Sequence, residues 1–503
     1  MKRPVLVTSS FPYACGPLRL GQLVDALQAD IYTRFLRLIG RRVTFIGGAD
    51  SHGTDVQQGA AKAGVDPEQL ADRYRGEHLR DFTSQLVAFD RFSSTDGEDN
   101  RELSVLVFNR LRDKGYIYER EVPLDYCPRC RRFLSDRFDR GRCPGCGSRV
   151  KTGGLCEVCS GGETGNGRGD DCPSCGGGTV PRLTRHYFFR LSEFSGRLAS
   201  WVHGGSLQPQ VEQWVDARLR EGLDDWCISR DGPYFGFPVP GELKKFFCVW
   251  LDAPLGYLTG AADRGGRRLW DDASSDVVQF VRRDIIAFHT LFWPAVLMGA
   301  DFSLPGRITV QGYLNVDGRR VAGRYGPRIE VRELAQKVDP ECLRYALASR
   351  MGDGLEELDI SPGRVTEALD EELGGQIIGF LRRAFDASGS GDGSAVPQGL
   401  VHRYAAVGRA YAAIDFRRAL ALVRELCRDV EPGPATGRDL AVLLGPVLPR
   451  LVEEVRELAG AERPWSWDDL GQPFSGRAGG SAAALAGRLE CREIGYMLNV
   501  SAE

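Results

Sequence analysis

Eight cysteines carry the most specific chemistry in this chain. They fall between Cys127 and Cys175 as four Cys-x-x-Cys pairs: Cys127/Cys130, Cys143/Cys146, Cys156/Cys159 and Cys172/Cys175. Each pair is a knuckle whose two thiolates can reach one ion while the turn's amides stabilise the sulfur charge, so four pairs make two tetrahedral sites. A closed shell of four thiolates leaves no open coordination position. The expected role is therefore structural, with about two zinc ions ordering a segment that has few apolar residues. The spacing leaves open how the eight cysteines divide between the two sites. The other six of the 14 cysteines are scattered and read as packing residues. A second candidate is the segment Gly47-Gly48-Ala49-Asp50-Ser51-His52-Gly53, which ends an apolar run.

Such a segment needs strands to position it. Val5-Leu6-Val7-Thr8 is a short β-branched and apolar run. Leu23, Leu27, Ile31, Phe35 and Leu38 then recur every three or four residues, which predicts a helix from about Gly21 to Ile39, and Val43-Thr44-Phe45-Ile46 reads as a second strand. Strand, helix, strand is a βαβ unit, so the expected fold class is α/β with a parallel sheet, and the loops at 9–17 and 47–54 face one site at the strands' carboxyl ends. The Gly- and Cys-rich stretch at 117–182 reads as an inserted metal-bearing module that splits the sheet. Strand-and-helix material resumes at Tyr187-Phe188-Phe189, Phe246–Tyr257 and Val277–Leu297. Ser388–Ser394 reads as a flexible loop, and the helical periodicity of Tyr404–Val430 and Leu440–Leu458 predicts a bundle from about 364 to 470.

Composition bounds the reading. With 503 residues, 42% hydrophobic and 26% charged, the chain is neither disordered throughout nor fibrous. No apolar run reaches a membrane-spanning length, so a cytoplasmic protein with no membrane partner is expected. The net charge of -3 gives no global pull toward nucleic acid. Of 65 basic residues only seven are Lys, so an Arg in place of a Lys carries little weight by itself.

Ordered strings then connect the chain to a family. Ser10-Phe11-Pro12-Tyr13 with Gly16, Ala49-Asp50-Ser51-His52-Gly53-Thr54, Ile228-Ser229-Arg230-Asp231 with Pro233-Tyr234-Phe235-Gly236, Trp250-Leu251-Asp252-Ala253-Pro254 with Gly256-Tyr257, Phe288-His289 with Phe292-Trp293-Pro294, and Gly312-Tyr313-Leu314 occur in sequence. In these the chain resembles the methionyl-tRNA synthetases, class I aminoacyl-tRNA ligases, from about residue 4 to 470. The resemblance implies a Rossmann-type parallel-sheet catalytic domain with a zinc-binding insertion and a C-terminal α-helical bundle. The implied division is 1–116 and 183–315 for the two halves of the catalytic domain and 117–182 for the zinc-knuckle insertion. A stem-contact-like linker follows at 316–363, a shortened anticodon-binding-like bundle at 364–470 and a C-terminal extension at 471–503.

By the same resemblance Asp50 holds the substrate ammonium and Arg230 helps neutralise its carboxylate or stabilises the surroundings. Ser10, Phe11, Tyr13, Trp250, Ala253, Pro254, Tyr257, Ile285, Phe288 and His289 line the amino-acid site. An aromatic box suits a thioether, whose sulfur favours ring contacts, so the expected ligand is methionine or a similar amino acid.

The nucleotide half departs from the family. Its His-x-Gly-His signature, which lies over the ATP phosphates, here reads Arg19-Leu20-Gly21-Gln22, and its Lys-Met-Ser-Lys-Ser loop reads Arg320-Val321-Ala322-Gly323-Arg324. Arg19, Gln22, Arg320 and Arg324 are the residues left to serve ATP with Mg, and Gly323 removes a charge outright. In the bundle, Leu369-Asp370-Glu371-Glu372 puts acidic residues where donors are usual. The expectation is a degenerate paralogue: an ATP-dependent, adenylate-forming ligase passing an activated amino acid to a small-molecule acceptor, as in the hydrazine-forming N–N chemistry of specialised metabolism, with tRNA an unlikely partner. The alternatives are a non-catalytic amino-acid-binding or scaffold protein, and a genuine methionyl-tRNA synthetase with atypical signatures.

Overall fold

The structure, a computed structural model, describes residues 3–134, 140–142, 149–151, 172, 175–262, 269–271, 275–321, 328–386 and 398–474. The strands that matter for the site are β1 (Val5–Ser9), β2 (Val43–Ala49), β3 (Arg91–Ser94), β4 (Ile117–Cys127), β5 (Val180–Phe189), β6 (Asp276–Arg282) and β7 (Arg307–Gln311). A continuous apolar strand covered on both faces belongs at the centre of a parallel sheet. β1 is such a strand, with all five residues buried. The sheet order is β7-β6-β1-β2-β3 and every neighbouring pair is parallel. The chain works outward from β1 through β2 to β3, then returns on the other side as β6 and β7. Strand order thus reverses between β1 and β6, and the crevice at their carboxyl ends is the switch point where ligands of doubly wound sheets bind.

Alternate residues of these strands feed two cores. Val5 and Val7, Phe45, and Val278 and Phe280 pack with helix α1 (Leu20–Leu38), whereas Leu6, Ile46, Val277 and Val281 pack with helix α2 (Glu98–Asp113) and the Trp293 region. The insertion leaves as β4 and returns as β5, an antiparallel ribbon in register from Ile117↔Phe189 to Tyr126↔Val180, so the ribbon straddles position 182.

The carboxyl-terminal helices are α3 (Pro340–Ala348), α4 (Gly379–Asp386), α5 (Gln398–Ala413), α6 (Phe416–Asp429), α7 (Pro434–Leu444) and α8 (Pro449–Leu458). The periodic stretches Tyr404–Val430 and Leu440–Leu458 are helical as expected, and each divides between two helices. Ile414 sits at φ +67° and the Asp415 carboxylate accepts the Arg418 N–H at 2.9 Å, which ends α5 and caps α6. These helices share the α1 core: the Phe35 ring stacks on Tyr411 at 5.3 Å. A buried ion pair crosses the same junction. Arg344 on α3 donates to Asp30 on α1 (2.7 Å) and to the carbonyls of Val447 (2.8 Å) and Pro446 (3.1 Å), tying α1, α3 and the turn before α8.

Candidate active site

The ends of β1 and β2 stay in register beyond the strands and set Tyr13 beside Asp50. The Asp50 N–H donates to Pro12 O (2.9 Å) and the Ala14 N–H to Asp50 O (2.8 Å), and Asp50 is only 6% exposed. Phe11 crosses β2 because Gly48 has no side chain: a Cβ there would lie 2.7 Å from the Phe11 ring. The same ring meets Tyr257 edge-on at 4.7 Å.

Tyr257 and His289 form the polar floor. The His289 Nδ1–H donates to Ile285 O at 3.2 Å, and because a carbonyl can only accept, Nε2 is left as the acceptor of the Tyr257 hydroxyl at 3.1 Å. Burial pushes the His289 pKa down to about 3 and raises that of Tyr257, so both side chains are neutral. Phe288 lies 4.9 Å from the His289 ring and 5.8 Å from Trp250. Ala253 and Pro254 occupy the helical turn between Trp250 and Tyr257. The expected residues Phe11, Trp250, Tyr257, Ile285, Phe288 and His289 are thus linked by direct contacts, with Tyr13 and Asp50 adjoining. Arg230 stands on a neighbouring ribbon and donates from Nη1 to Ser229 O at 2.8 Å.

One residue and two side-chain networks escaped the sequence reading, although Ser10 of the second network is one of the expected site residues. Trp226 stacks on Phe292 at 4.5 Å and lies 4.8 Å from Trp250, extending the aromatic wall; an isolated Trp after Asp224-Asp225 gives no sequence signal. His52 Nδ1 meets Asp252 at 2.5 Å in a buried pair that joins the Asp50 turn to the Trp250 segment, and the resembling strings contain both residues. Ser10 belongs to a network of its own. Its N–H (3.1 Å) and hydroxyl both donate to Asp25 Oδ2, and it accepts from Arg282 Nη1 at 2.8 Å. An Asp on the apolar face of α1 was the available clue to that network.

At the nucleotide half, Arg19 is the exposed N-cap of α1, and the Gln22 carboxamide oxygen accepts the Arg19 N–H at 3.0 Å. The first turn is also sutured to the chain beyond the second signature: the Leu20 N–H donates to Ile329 O and the Val331 N–H to Leu18 O, both at 2.9 Å. Gly21 serves this contact, since a Cβ would lie 2.7 Å from Val321 O. The α1 N-terminus is therefore partly spent on its own chain. The Arg320 guanidinium stacks 3.4 Å from the Tyr313 ring centre, with Glu357 3.9 Å away. Gly323 and Arg324 lie outside the described residues.

Cys127, Cys130, Cys172 and Cys175 converge, with all four sulfurs within 4.8 Å of one another. The first knuckle pairs with the last. Cys127 to Cys175 is 3.6 Å and Cys130 to Cys172 is 3.8 Å, against about 3.8 Å between thiolates 2.3 Å from a tetrahedral zinc. The Cys130 N–H, 3.3 Å from Cys127 Sγ, lowers that thiol's pKa to about 7, as a prospective metal ligand requires. Cys143, Cys146, Cys156 and Cys159 lie outside the described residues.

The sheet and its switch point are those of a doubly wound α/β fold, and the sequence matches the family of tRNA synthetases class I (M) over residues 5–385. The chain belongs to this family. It is 36% identical over 512 residues to the methionine–tRNA ligase of Acidithiobacillus ferrooxidans (strain ATCC 53993 / BNL-5-31), covering 93% of this chain and 75% of that protein. It is 35% identical over 517 residues to the methionine–tRNA ligase of Myxococcus xanthus (strain DK1622), covering 92% and 72%. In fold it is similar to Mycobacterium tuberculosis methionyl-tRNA synthetase in complex with methionyl-adenylate, with a TM-score of 0.75 at 24% identity over 95% of this chain and 98% of that one.

These relatives overturn the expectation that tRNA is an unlikely partner, because proteins matching 93% of the chain are ligases of methionine to tRNA. Part of the physical reason lies in the bundle: of the acidic residues Asp370, Glu371 and Glu372, the last is half-buried and paired with Arg424 at 3.0 Å and the Tyr345 hydroxyl at 3.2 Å, while the other two stay exposed. Transfer to a small acceptor in specialised metabolism finds no support among the relatives, which favour the reading of a synthetase with atypical signatures. Among the described residues no helix is long and apolar enough to cross a membrane.

Proposed function

We propose that the chain activates methionine with ATP and Mg and transfers it to tRNA, as its relatives' names describe for them. The observation that carries this reading is the neutral Tyr257–His289 pair, set in an aromatic box next to the buried Asp50 carboxylate. Asp50 takes the ammonium, and the rings and the two neutral dipoles take an uncharged thioether at little desolvation cost. A carboxylate oxygen then attacks the α-phosphorus and pyrophosphate leaves with the bonding electron pair. In the second step a hydroxyl at the tRNA end attacks the acyl carbon, the bond to the phosphate oxygen breaks, and AMP leaves as the hydroxyl's proton passes to its phosphate or to water.

ATP is served by the cations that the altered signatures keep, Arg19 and Arg320, with Gln22 and Arg324 as further donors. The cysteine cluster holds zinc as a structural ion, and residues 364–470 form the bundle that faces tRNA. Purified full-length protein should catalyse methionine-dependent exchange of pyrophosphate into ATP and should methionylate bulk tRNA. Exchange without any charging of tRNA would overturn the second half of the reading, and no exchange with any amino acid would overturn all of it.

A further inference from the structure

β6 ends on a cation where the strand order reverses. Arg282 is its last residue, and its guanidinium reaches across the switch point to Ser10 at the end of β1. Anionic ligands of doubly wound sheets meet the strand ends in that crevice. The hydrogen bond to Ser10 Oγ uses Nη1 alone, and Nη2 has no hydrogen-bond partner among the described residues. The side chain keeps 20% of its surface open, so a ligand can reach it.

Asp25 explains why the guanidinium stays there. Its carboxylate is fully buried, its Oδ2 takes both Ser10 donors, and its Oδ1 has no hydrogen-bond partner while lying 3.9 Å from Arg282 Nη1. A buried carboxylate needs a counter-charge, so Asp25 holds Arg282 by electrostatics without using up its outer donors. Asp284, at 3.3 Å from Nε, holds it from the solvent side. Ser10, the hydrogen-bond partner of Arg282, directly precedes Phe11, whose ring meets Tyr257 at 4.7 Å. Two other arginines of the region have contacts of their own, Arg230 with Ser229 O and Arg320 with the Tyr313 ring.

We propose that Arg282 binds the carboxylate of the bound amino acid, at the opposite end of the substrate from Asp50, and stays on the same group as it becomes the acyl phosphate. The inference rests on the methionine-activating reading. In the activation step the carboxylate forms the new bond to phosphorus, the bond to pyrophosphate breaks, and no proton moves. The negative charge beside Arg282 therefore passes from carboxylate to phosphate without leaving its reach, which is where a fixed guanidinium lowers the barrier.

The test compares L-methionine with L-methioninol, which lacks the carboxylate, by calorimetry on the full-length protein. Wild type should prefer methionine. Arg282→Ala should weaken methionine by about 30-fold and leave methioninol within about threefold, abolishing the preference, with Arg282→Lys restoring part of it. Since Arg282→Ala strands Asp25, the neutral pair Asp25→Asn/Arg282→Gln should give the same lost preference in a chain with no buried charge to misfold around. If either variant keeps the preference, or if both ligands weaken alike, Arg282 is only structural and the proposal falls. If wild type binds neither ligand, the methionine reading itself has failed, an outcome distinct from the other two.

Discussion

The amino-acid half of this site and its nucleotide half are held together in different ways. The first is assembled from five segments far apart in sequence, and each side chain is fixed by another: Phe11 on Tyr257, Tyr257 on His289, His289 on Ile285 O, Phe288 on Trp250. The second consists of one helix turn and one loop, and its first turn is already bonded to the 329–331 segment. In the first half a changed residue strands a buried partner, so the residue types are tightly constrained. In the second, the proposed ATP ligands are an exposed cation, Arg19, and a half-buried one, Arg320. Arg and Gln can stand where His is usual there, because what matters is charge and donors reaching an anion.

Substitutions can break this comparison. Asp50→Ala removes the ammonium's only proposed counter-charge and should weaken methionine by about 3 kcal/mol, at least 100-fold, in calorimetry. Unchanged binding would mean that the first half is not an amino-acid site. Tyr257→Phe leaves His289 Nε2 buried and unpartnered, a loss of about 1–3 kcal/mol, and should raise the methionine KM roughly tenfold with the ATP KM unmoved.

Gln22→Ala probes the other half. It removes the side chain that accepts the Arg19 N–H, should cost about 1 kcal/mol of thermal stability, and should shift the ATP KM while leaving the methionine Kd alone. A methionine effect as large as that of Tyr257→Phe would show that the two halves are one unit.

A smaller effect comes from pH. The folded pKa of His289 is depressed to about 3 from 6.5, so the unfolded chain binds the extra proton first and stability is lost as pH falls through the interval between them. Going from pH 7 to pH 6 should cost about 0.7 kcal/mol through this residue. His289→Gln should flatten the pH dependence of Tm by that amount. The smallest expected effect on the site comes from the metal. Cys172→Ser should remove one zinc per chain by elemental analysis and leave the methionine Kd within about twofold, because that cluster lies at the far end of the β4–β5 ribbon.

Much of this protein is legible before folding. The short β-branched apolar runs and the 3.6-residue pattern of residues 5–49 give strand, helix and strand, and α1 spans Leu20–Leu38 against an expected 21–39. The Cys-x-x-Cys spacing announces metal chemistry because two ligands with two residues between them can reach one ion within a single turn. What the sequence could not supply is whatever depends on two distant residues meeting. The union of the first knuckle with the fourth, the neutralisation of Glu372 by Arg424, the His52–Asp252 pair and the Asp25–Ser10–Arg282 network are each closed across at least 15 residues. Charge is the clearest case. A Glu reads the same in a sequence whether it faces water or a guanidinium, and only the folded chain, by burying the pair together, decides which charges remain to act on a partner.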